Sequence, residues 1–298
     1  MTARQSVFLI DSSIYVFRAW FVLPETLVDS MGRPVNALYG FADFLLGLLE
    51  NEKPEYIACA FDASLASSYR NDIYPAYKAN RDPAPEELKL QFQFCRELVR
   101  TIGIAEFASE RYEADDIIGT LSFNMRQHGF VSRIISGDKD LAQLLEEDDL
   151  WWEYAKNLRL DRKGVFRQFG VYPEQIADLL ALAGDAVDNI PGVPGIGLKT
   201  AARILNKFGT LDAALANIEQ IGTMKFRGAK RVQQLLQEHQ DIARLSRELT
   251  LIQHDDQLPD HYEALQRRSC DREELDALLD QFGFGPARRQ RWHAALNH

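Results

Sequence analysis

Three short apolar runs along the chain close on an aspartate. Ser6–Asp11 (SVFLID), Tyr56–Asp62 (YIACAFD) and the stretch 131–138 (VSRIISGD) each have the length and the β-branched or aromatic content of a buried strand. Helix-like stretches separate them, and strands alternating with helices predict a mostly parallel α/β sheet with right-handed crossovers. Functional groups in such sheets gather outside the carboxyl ends of the strands, so Asp11, Asp62 and Asp138 are expected at one edge. The segment 70–85 (RNDIYPAYKANRDPAP) breaks the pattern. It is polar, interrupted by proline and weakly basic, and reads as a long loop or a short helical insert. From about Tyr172 the chain turns helical, with amphipathic stretches at Ile176–Ala183, 199–207 and 229–247, so a second, helical subdomain is expected over 173–250 after an α/β domain over 1–172. Residues 251–298 read as a helical extension of unassigned role, with Asp255 and Asp256 early and Arg288, Arg289 and Arg291 late.

Composition narrows the class. With 298 residues, 46% hydrophobic and 26% charged, the chain is that of an ordinary globular protein. No apolar run approaches the roughly 18 residues of a membrane helix. The opening MTARQSVFLIDSS breaks at Asp11, too early for a secretory signal, so a cytoplasmic protein without membrane association is expected. Cys59, Cys95 and Cys270 are widely spaced and form no CxxC pair, which suits a reducing compartment and argues against zinc or a disulfide framework. The balance of 34 Lys+Arg against 44 Asp+Glu gives a net charge of −10, which at first argues against nucleic acid. The distribution of charge reverses that reading.

Carboxylates cluster at three places besides the strand ends. YEADDII opens a helix with Glu113, Asp115 and Asp116; GDKD places Asp138 and Asp140 after the third strand; GDAVDN carries Asp185 and Asp188. On a helix Glu113 and Asp116 share a face, whereas adjacent Asp115 and Asp116 point about 100° apart. Any one of these acids alone is commonly a turn former or a helix cap. Together, Asp11, Asp62, Glu113, Asp115, Asp116, Asp138, Asp140, Asp185 and Asp188 are directed to one region, where repulsion forbids them to stay unpaired. All-oxygen ligands without His or Cys favour Mg²⁺ or Mn²⁺. Two such ions roughly 4 Å apart serve in-line phosphodiester hydrolysis. Without these nine acids the surface is close to neutral.

The stretch NIPGVPGIGLKTAA lies between helical patterns. Gly192 and Gly197 have P-loop spacing, but Leu198 intervenes before the lysine and no strand leads in; the dinucleotide fingerprint fails at Thr200. A helix-hairpin-helix remains, in which Gly192, Gly195 and Gly197 admit a phosphate to the backbone and Lys199 adds charge. From Gly195 to Arg231 the chain carries Lys199, Arg203, Lys207, Lys225, Arg227, Lys230 and Arg231 against Asp212 and Glu219. Such a patch grips duplex phosphates without reading sequence. Arg70, Tyr74, Tyr77, Lys78 and Arg81 mix cations and aromatics in a way suited to a frayed single strand.

The ordered set FLIDSS, GRPVNALYGF, FDA, YKANR, YEADD, SGDKDLAQLL and GDAVDNIPGVPGIGLKTA resembles the structure-specific 5′ nuclease (flap endonuclease) family, most closely the 5′-3′ exonuclease domain of bacterial DNA polymerase I. The resemblance implies a PIN-like α/β nuclease domain with a helical arch over about 70–90 through which the free 5′ strand passes. It also implies a helix-three-turn-helix subdomain on the downstream duplex, and a monomer acting on flapped, tailed or nicked DNA. By it, Asp11, Asp62, Glu113 and Asp115 line a first metal site and Asp138, Asp140, Asp185 and Asp188 a second, with Asp116 between. Lys78, Arg81 and Arg70 orient or neutralise the scissile phosphate, and the hairpin from Gly192 to Thr200 binds duplex and holds a potassium ion on main-chain carbonyls. No metal position departs from the family pattern. Three rivals fit less well: a PIN-type ribonuclease needs no duplex-gripping hairpin, a non-catalytic junction binder would leave metal positions vacant, and a HAD-type phosphatase needs a second aspartate where Ser13 stands.

Overall fold

The computed structural model describes residues 4–63 and 68–296; the outermost residues of the first and last expected segments fall outside these. Six strands form one sheet: β1 (Ser6–Asp11), β2 (Tyr56–Asp62), β3 (Ala105–Ser109), β4 (Val131–Ile135), β5 (Leu150–Glu153) and β6 (Leu158–Leu160). Their order is β3-β2-β1-β4-β5-β6, and every pairing is parallel except that of β6 with β5. The chain therefore runs outward from β1 on one side and resumes at β4 on the other. Strand connections diverge between β1 and β4, which opens a crevice at their carboxyl ends.

Helices α1 (Ser12–Val22), α2 (Asn36–Glu52), α3 (Tyr69–Ile73), α4 (Glu86–Thr101) and α5 (Ala114–Gln127) connect the strands, and α6 (Arg162–Phe169) follows the last of them. Because side chains alternate along a strand, Val7 and Leu9 join one core with Ile117, Ile118 and Leu121 of α5, while Phe8 and Ile10 join the other with Leu38, Leu45 and Leu49 of α2. Burial on both faces explains why the three aspartate-ended runs are continuously apolar. The third ends earlier than expected: β4 stops at Ile135, and Ser136 and Gly137 lead to Asp138, whose carboxylate caps the 3₁₀ turn Lys139–Leu144. Strands β3, β5 and β6 were not anticipated. β3 is half-buried and carries Glu106, and the other two are only 4 and 3 residues long.

The second part comprises α7 (Ile176–Ala183), α8 (Leu198–Phe208), α9 (Leu211–Ala216), α10 (Ile218–Ile221), α11 (Ala229–Glu238) and α12 (Gln240–Thr250). The amphipathic stretch 229–247 is two helices, broken at His239. Its apolar faces continue the α5 side of the core. Residues 251–271 then return across the α/β part, where the N–H groups of Gln253 and Asp255 donate to Asp116 and Thr120 of α5. Helices α13 (Arg272–Gln281) and α14 (Pro286–Ala295) close the opposite face of the sheet. Phe282 packs on Phe94, Phe284 stacks on Tyr39 with ring centroids 4.3 Å apart, and Trp292 is fully buried. Arg288 and Arg291 pair with Asp43 and Glu50 of α2.

Replacing Trp292 by Ala should cost roughly 3–5 kcal/mol of stability, as expected for a large aromatic side chain removed from a core. Urea unfolding followed by circular dichroism measures it; a loss within experimental error would show that the C-terminal helices do not complete the core.

Candidate active site

Parallel pairing places the strand-end acids. Asp11 is registered with Ala60, two residues before Asp62, and Ile10 with Ile135, three residues before Asp138, so the three carboxylates line the crevice edge of adjacent strands. Local bonds fix each one. The Ser136 hydroxyl donates to Asp11 Oδ2 at 2.7 Å and accepts the Asp138 N–H at 2.9 Å, tying two acids through one side chain. Asp62 accepts the Ala114 N–H at 2.9 Å, drawing the start of α5 onto β2. Asp140 hangs from Asp138, whose Oδ1 accepts its N–H. Asp185 and Asp188 sit on the tight loop between α7 and α8, closed by reciprocal backbone bonds between Asp185 and Ile190.

The resulting electrostatics are those of frustrated burial. Burial pushes the Asp11 carboxyl up to about 7, with further upward pressure from Asp62 and Asp138. Burial likewise raises Asp115 well above the carboxylate range, with Asp138 and Asp11 adding to it, and raises Asp140, with Asp138, Asp185 and Asp188 adding to it. Asp62 is raised by burial and by Glu113, against Lys78. Asp138 thus acts on Asp11, Asp115 and Asp140 alike and stands between the two halves of the cluster.

Cations occupy the other half of the balance. Lys78 Nζ donates to Glu113 at 2.7 Å and lies 3.7 Å from Asp188; Arg81 pairs with Asp188 and Lys139 with Asp185. Burial would raise Glu113 and Asp188, but Lys78 with Arg70, and Lys78 with Arg81, outweigh it and hold both below their ordinary values. The Tyr77 hydroxyl lies 3.0 Å from Glu113 and 3.1 Å from Asp188. With these side chains interleaved, no group of three or more His, Cys, Asp or Glu among the described residues is arranged to hold an ion. The donor set nevertheless suits a hard divalent cation. It is all oxygen, mutually repelling and buried, and Asp140 Oδ1 lies buried without any hydrogen-bond partner.

Two expectations need correction. Asp116 is not turned freely into the cluster: it is fully buried, Oδ2 accepting from Arg70 and the Glu113 N–H, Oδ1 from Arg70 and the Gln253 N–H. Arg70 does not face a phosphate, for its guanidinium is committed to Asp116, Glu113 and the carbonyls of Leu249 and Leu251. The pair fastens α3 to α5 and to the returning chain. Ser136 and Lys139 were passed over in the sequence, although both lie within the ISGDKD run whose acids drew the reading.

A cavity of about 550 Å³ adjoins the cluster, with Asp62, Glu113, Lys78 and Arg81 on the near side and Phe17, Phe92 and Arg96 among its other walls. Beyond the 185–190 loop lies the glycine hairpin. Gly192 is another correction: a Cβ there would meet Gly184 N at 2.1 Å, its φ is +58°, and its N–H donates to Ser246, so it packs inward. Gly195, Gly197 and Lys199 are exposed at the start of α8, which has no side-chain cap, with Thr200 half-buried. Lys199, Arg203, Lys207, Lys225, Arg227, Lys230 and Arg231 are all exposed, and none forms an ion pair among the described residues; Arg203 lies over the Phe226 ring.

Known proteins agree with this layout. The description of the 5′-3′ exonuclease N-terminal resolvase-like domain matches residues 6–170, and that of the 5′-3′ exonuclease C-terminal SAM fold matches residues 171–273. The chain belongs to the 5′-3′ exonuclease family. It is 36% identical over 295 residues to DNA polymerase I of Bacillus subtilis (strain 168), covering 95% of this chain and 32% of that protein. It is 41% identical over 216 residues to the 5′-3′ exonuclease of Aquifex aeolicus (strain VF5), covering 72% of this chain and 74% of that one. The chain thus spans about a third of the length of its polymerase relatives. Among solved structures, T5 5′-exonuclease with bound zinc superposes with a TM-score of 0.67 at 22% identity, covering 83% of this chain and 89% of that one. The catalytic core of Rad2 in complex with DNA substrate superposes with a TM-score of 0.66 at 15% identity, covering 99% and 92%. The shared fold is a PIN-like, resolvase-type domain joined to a helical one.

The raised carboxyls make stability depend on pH and on cations. Between about 4 and about 7 the folded state holds a proton on Asp11 that the unfolded chain has released, so this contribution is full at the acid end and is lost as pH rises through 7. Asp62, Asp115 and Asp140 act in the same sense. The lowered Glu113 and Asp188 oppose it only below the ordinary carboxylate range. In EDTA the melting temperature should therefore fall from about pH 5.5 to about pH 8, and Mg²⁺ should restore more of it at the upper pH. A flat profile insensitive to Mg²⁺ would contradict the assignment.

Proposed function

We propose that the chain is a 5′-3′ exonuclease and flap endonuclease, dependent on Mg²⁺ or Mn²⁺, which cleaves phosphodiester bonds near the 5′ end of flapped, tailed or nicked DNA and acts as a monomer. The observation that carries this reading is the buried carboxylate cluster at the crevice between β1 and β4, whose charges the protein's own cations only partly offset. In the proposal Asp11, Asp62, Glu113 and Asp115 hold one ion, and Asp138, Asp140, Asp185 and Asp188 a second. Bound there, the ions would supply Lewis-acid activation of water and charge neutralisation for in-line displacement at phosphorus.

The chain's own residues do the rest. Lys78 and Arg81, now spent on Glu113 and Asp188, become available to an incoming phosphate when those carboxylates take up cations. Tyr77 keeps its hydroxyl on the same two acids and holds the arch segment at the crevice. The cavity beside Asp62 accommodates the displaced single strand, with Phe17 and Phe92 as apolar walls for bases. Gly195, Gly197, Lys199, Thr200 and Arg203 at the start of α8, with the neighbouring unpaired cations, grip the duplex through its phosphates and set the distance from duplex to cut without reading sequence.

A 5′-labelled flap duplex incubated with and without Mg²⁺ tests the reading directly: short labelled products only with Mg²⁺ are expected, and an intact flap in both lanes overturns it. Asp138→Ala should slow cleavage roughly 10²–10³-fold while flap affinity measured in Ca²⁺ survives; equal loss of both would make the residue purely structural. Lys199→Ala with Arg203→Ala should weaken binding to flaps of any sequence and reduce the salt slope by about two. An unchanged slope removes the hairpin from the interface.

A further inference from the structure

The ion pairs that now hold the segment 74–81 on the acids would be weakened by metal loading, because Lys78 and Arg81 bind carboxylates that the proposed ions would share. A second set of contacts between the same two segments uses no carboxylate. The Asn189 side-chain amide donates to the carbonyl of Ala76 at 2.6 Å, the Asn80 amide to the carbonyl of Ala186 at 2.9 Å, and the Lys78 N–H to the main-chain carbonyl of Asp188 at 3.0 Å. On one side stands the closed loop 185–190, pinned by its two Asp185–Ile190 backbone bonds; on the other stand the turns of 74–81, which Asn71 braces by donating to the carbonyl of Tyr77. Asn189 has φ +55° and Lys78 φ +54°, a left-handed backbone that asparagine tolerates better than most residues. At position 189 one residue thus meets two demands, the turn and the donor.

We propose that Asn189 and Asn80 are positioning residues. They latch the segment 74–81 to the loop that carries Asp185 and Asp188, so that Lys78 and Arg81 stay over the cluster after their ion pairs are released. The same loop leads within two residues to Gly192 and the duplex-gripping hairpin, so the latch also fixes the arch relative to the bound duplex. The inference rests on the nuclease reading above for its catalytic consequence, but not for its structural one.

The test uses Asn189→Gly, which keeps the left-handed backbone and deletes the amide, Asn80→Ala at an exposed position where folding is not at stake, and the double variant. Amide hydrogen exchange over 74–82 in Mg²⁺ should rise roughly tenfold in the double variant. Single-turnover flap cleavage should fall roughly 10- to 100-fold, with flap affinity in Ca²⁺ unchanged, and Asn80→Gln, which retains a donor, should recover part of the rate. Because the asparagines act through Lys78 and Arg81, adding Asn189→Gly to the Lys78→Ala/Arg81→Ala double variant should cost little further rate. Unchanged exchange, a wild-type cleavage rate, or a loss that multiplies fully with that of the Lys78→Ala/Arg81→Ala variant each overturn the latch. A wild-type protein that leaves flaps intact overturns the nuclease reading instead, and the exchange measurement then still decides the latch.

Discussion

Like charges cannot be buried together without something to offset them, and this chain buries a cluster of carboxylates at the one place where its sheet opens. The strand order makes the crevice, and the crevice gathers Asp11, Asp62 and Asp138. Their repulsion then dictates what surrounds them: Lys78 and Arg81 reach in from the segment between α3 and α4, and Lys139 from the turn after β4. Strand, arch and hairpin loop are held together because each contributes charge to the same balance. A site built this way is stable only as a partnership with cations, whether from side chains or from solution.

The segment 74–81 and the glycine hairpin, which a domain diagram would draw apart, meet in the loop 185–190. That loop presents carboxylates to the crevice, carbonyls and an amide to the arch segment, and a glycine pair to its own base, where Gly184 and Gly192 approach too closely for any Cβ. Arg70 performs the corresponding task at the other foot of the arch, joining α3, α5 and the chain returning from α12. The stretch 70–80 is therefore held at both ends by polar contacts that face the protein, with Lys78 and Arg81 at its far end beside the carboxylates.

Much of this was legible from the sequence, for identifiable reasons. Asp11 and Asp62 were readable because each ends a fully buried strand, where an aspartate stands out against an apolar run; Asp138 was readable in kind but lies three residues beyond its strand. The basic face from Lys199 to Arg231 was readable because its cations outnumber its acids so heavily. Asp116 and Arg70 were misjudged because adjacency in EADD hides which way each side chain turns at the start of α5, and because a buried arginine and an exposed one look alike in sequence. Gly192 was misjudged because glycine serves close approach to a phosphate and close approach to another backbone equally well. Strand β3, half-buried with Glu106 in its middle, lacks the periodic contrast on which such reading depends, and the tail beyond residue 250 became interpretable only through the surfaces it covers.

That tail has a consequence for biogenesis. Helices α13 and α14 supply Leu275, Leu279, Phe282 and Trp292 to the apolar face formed by α2 and α4, elements synthesised some two hundred residues earlier. During translation this face stays bare until the residues of α13 and α14 have been made. The nascent α/β domain must wait, exposed and adhesive, for α13 and α14 to emerge, which makes this step of folding a long-range one and the growing chain a natural client for chaperones.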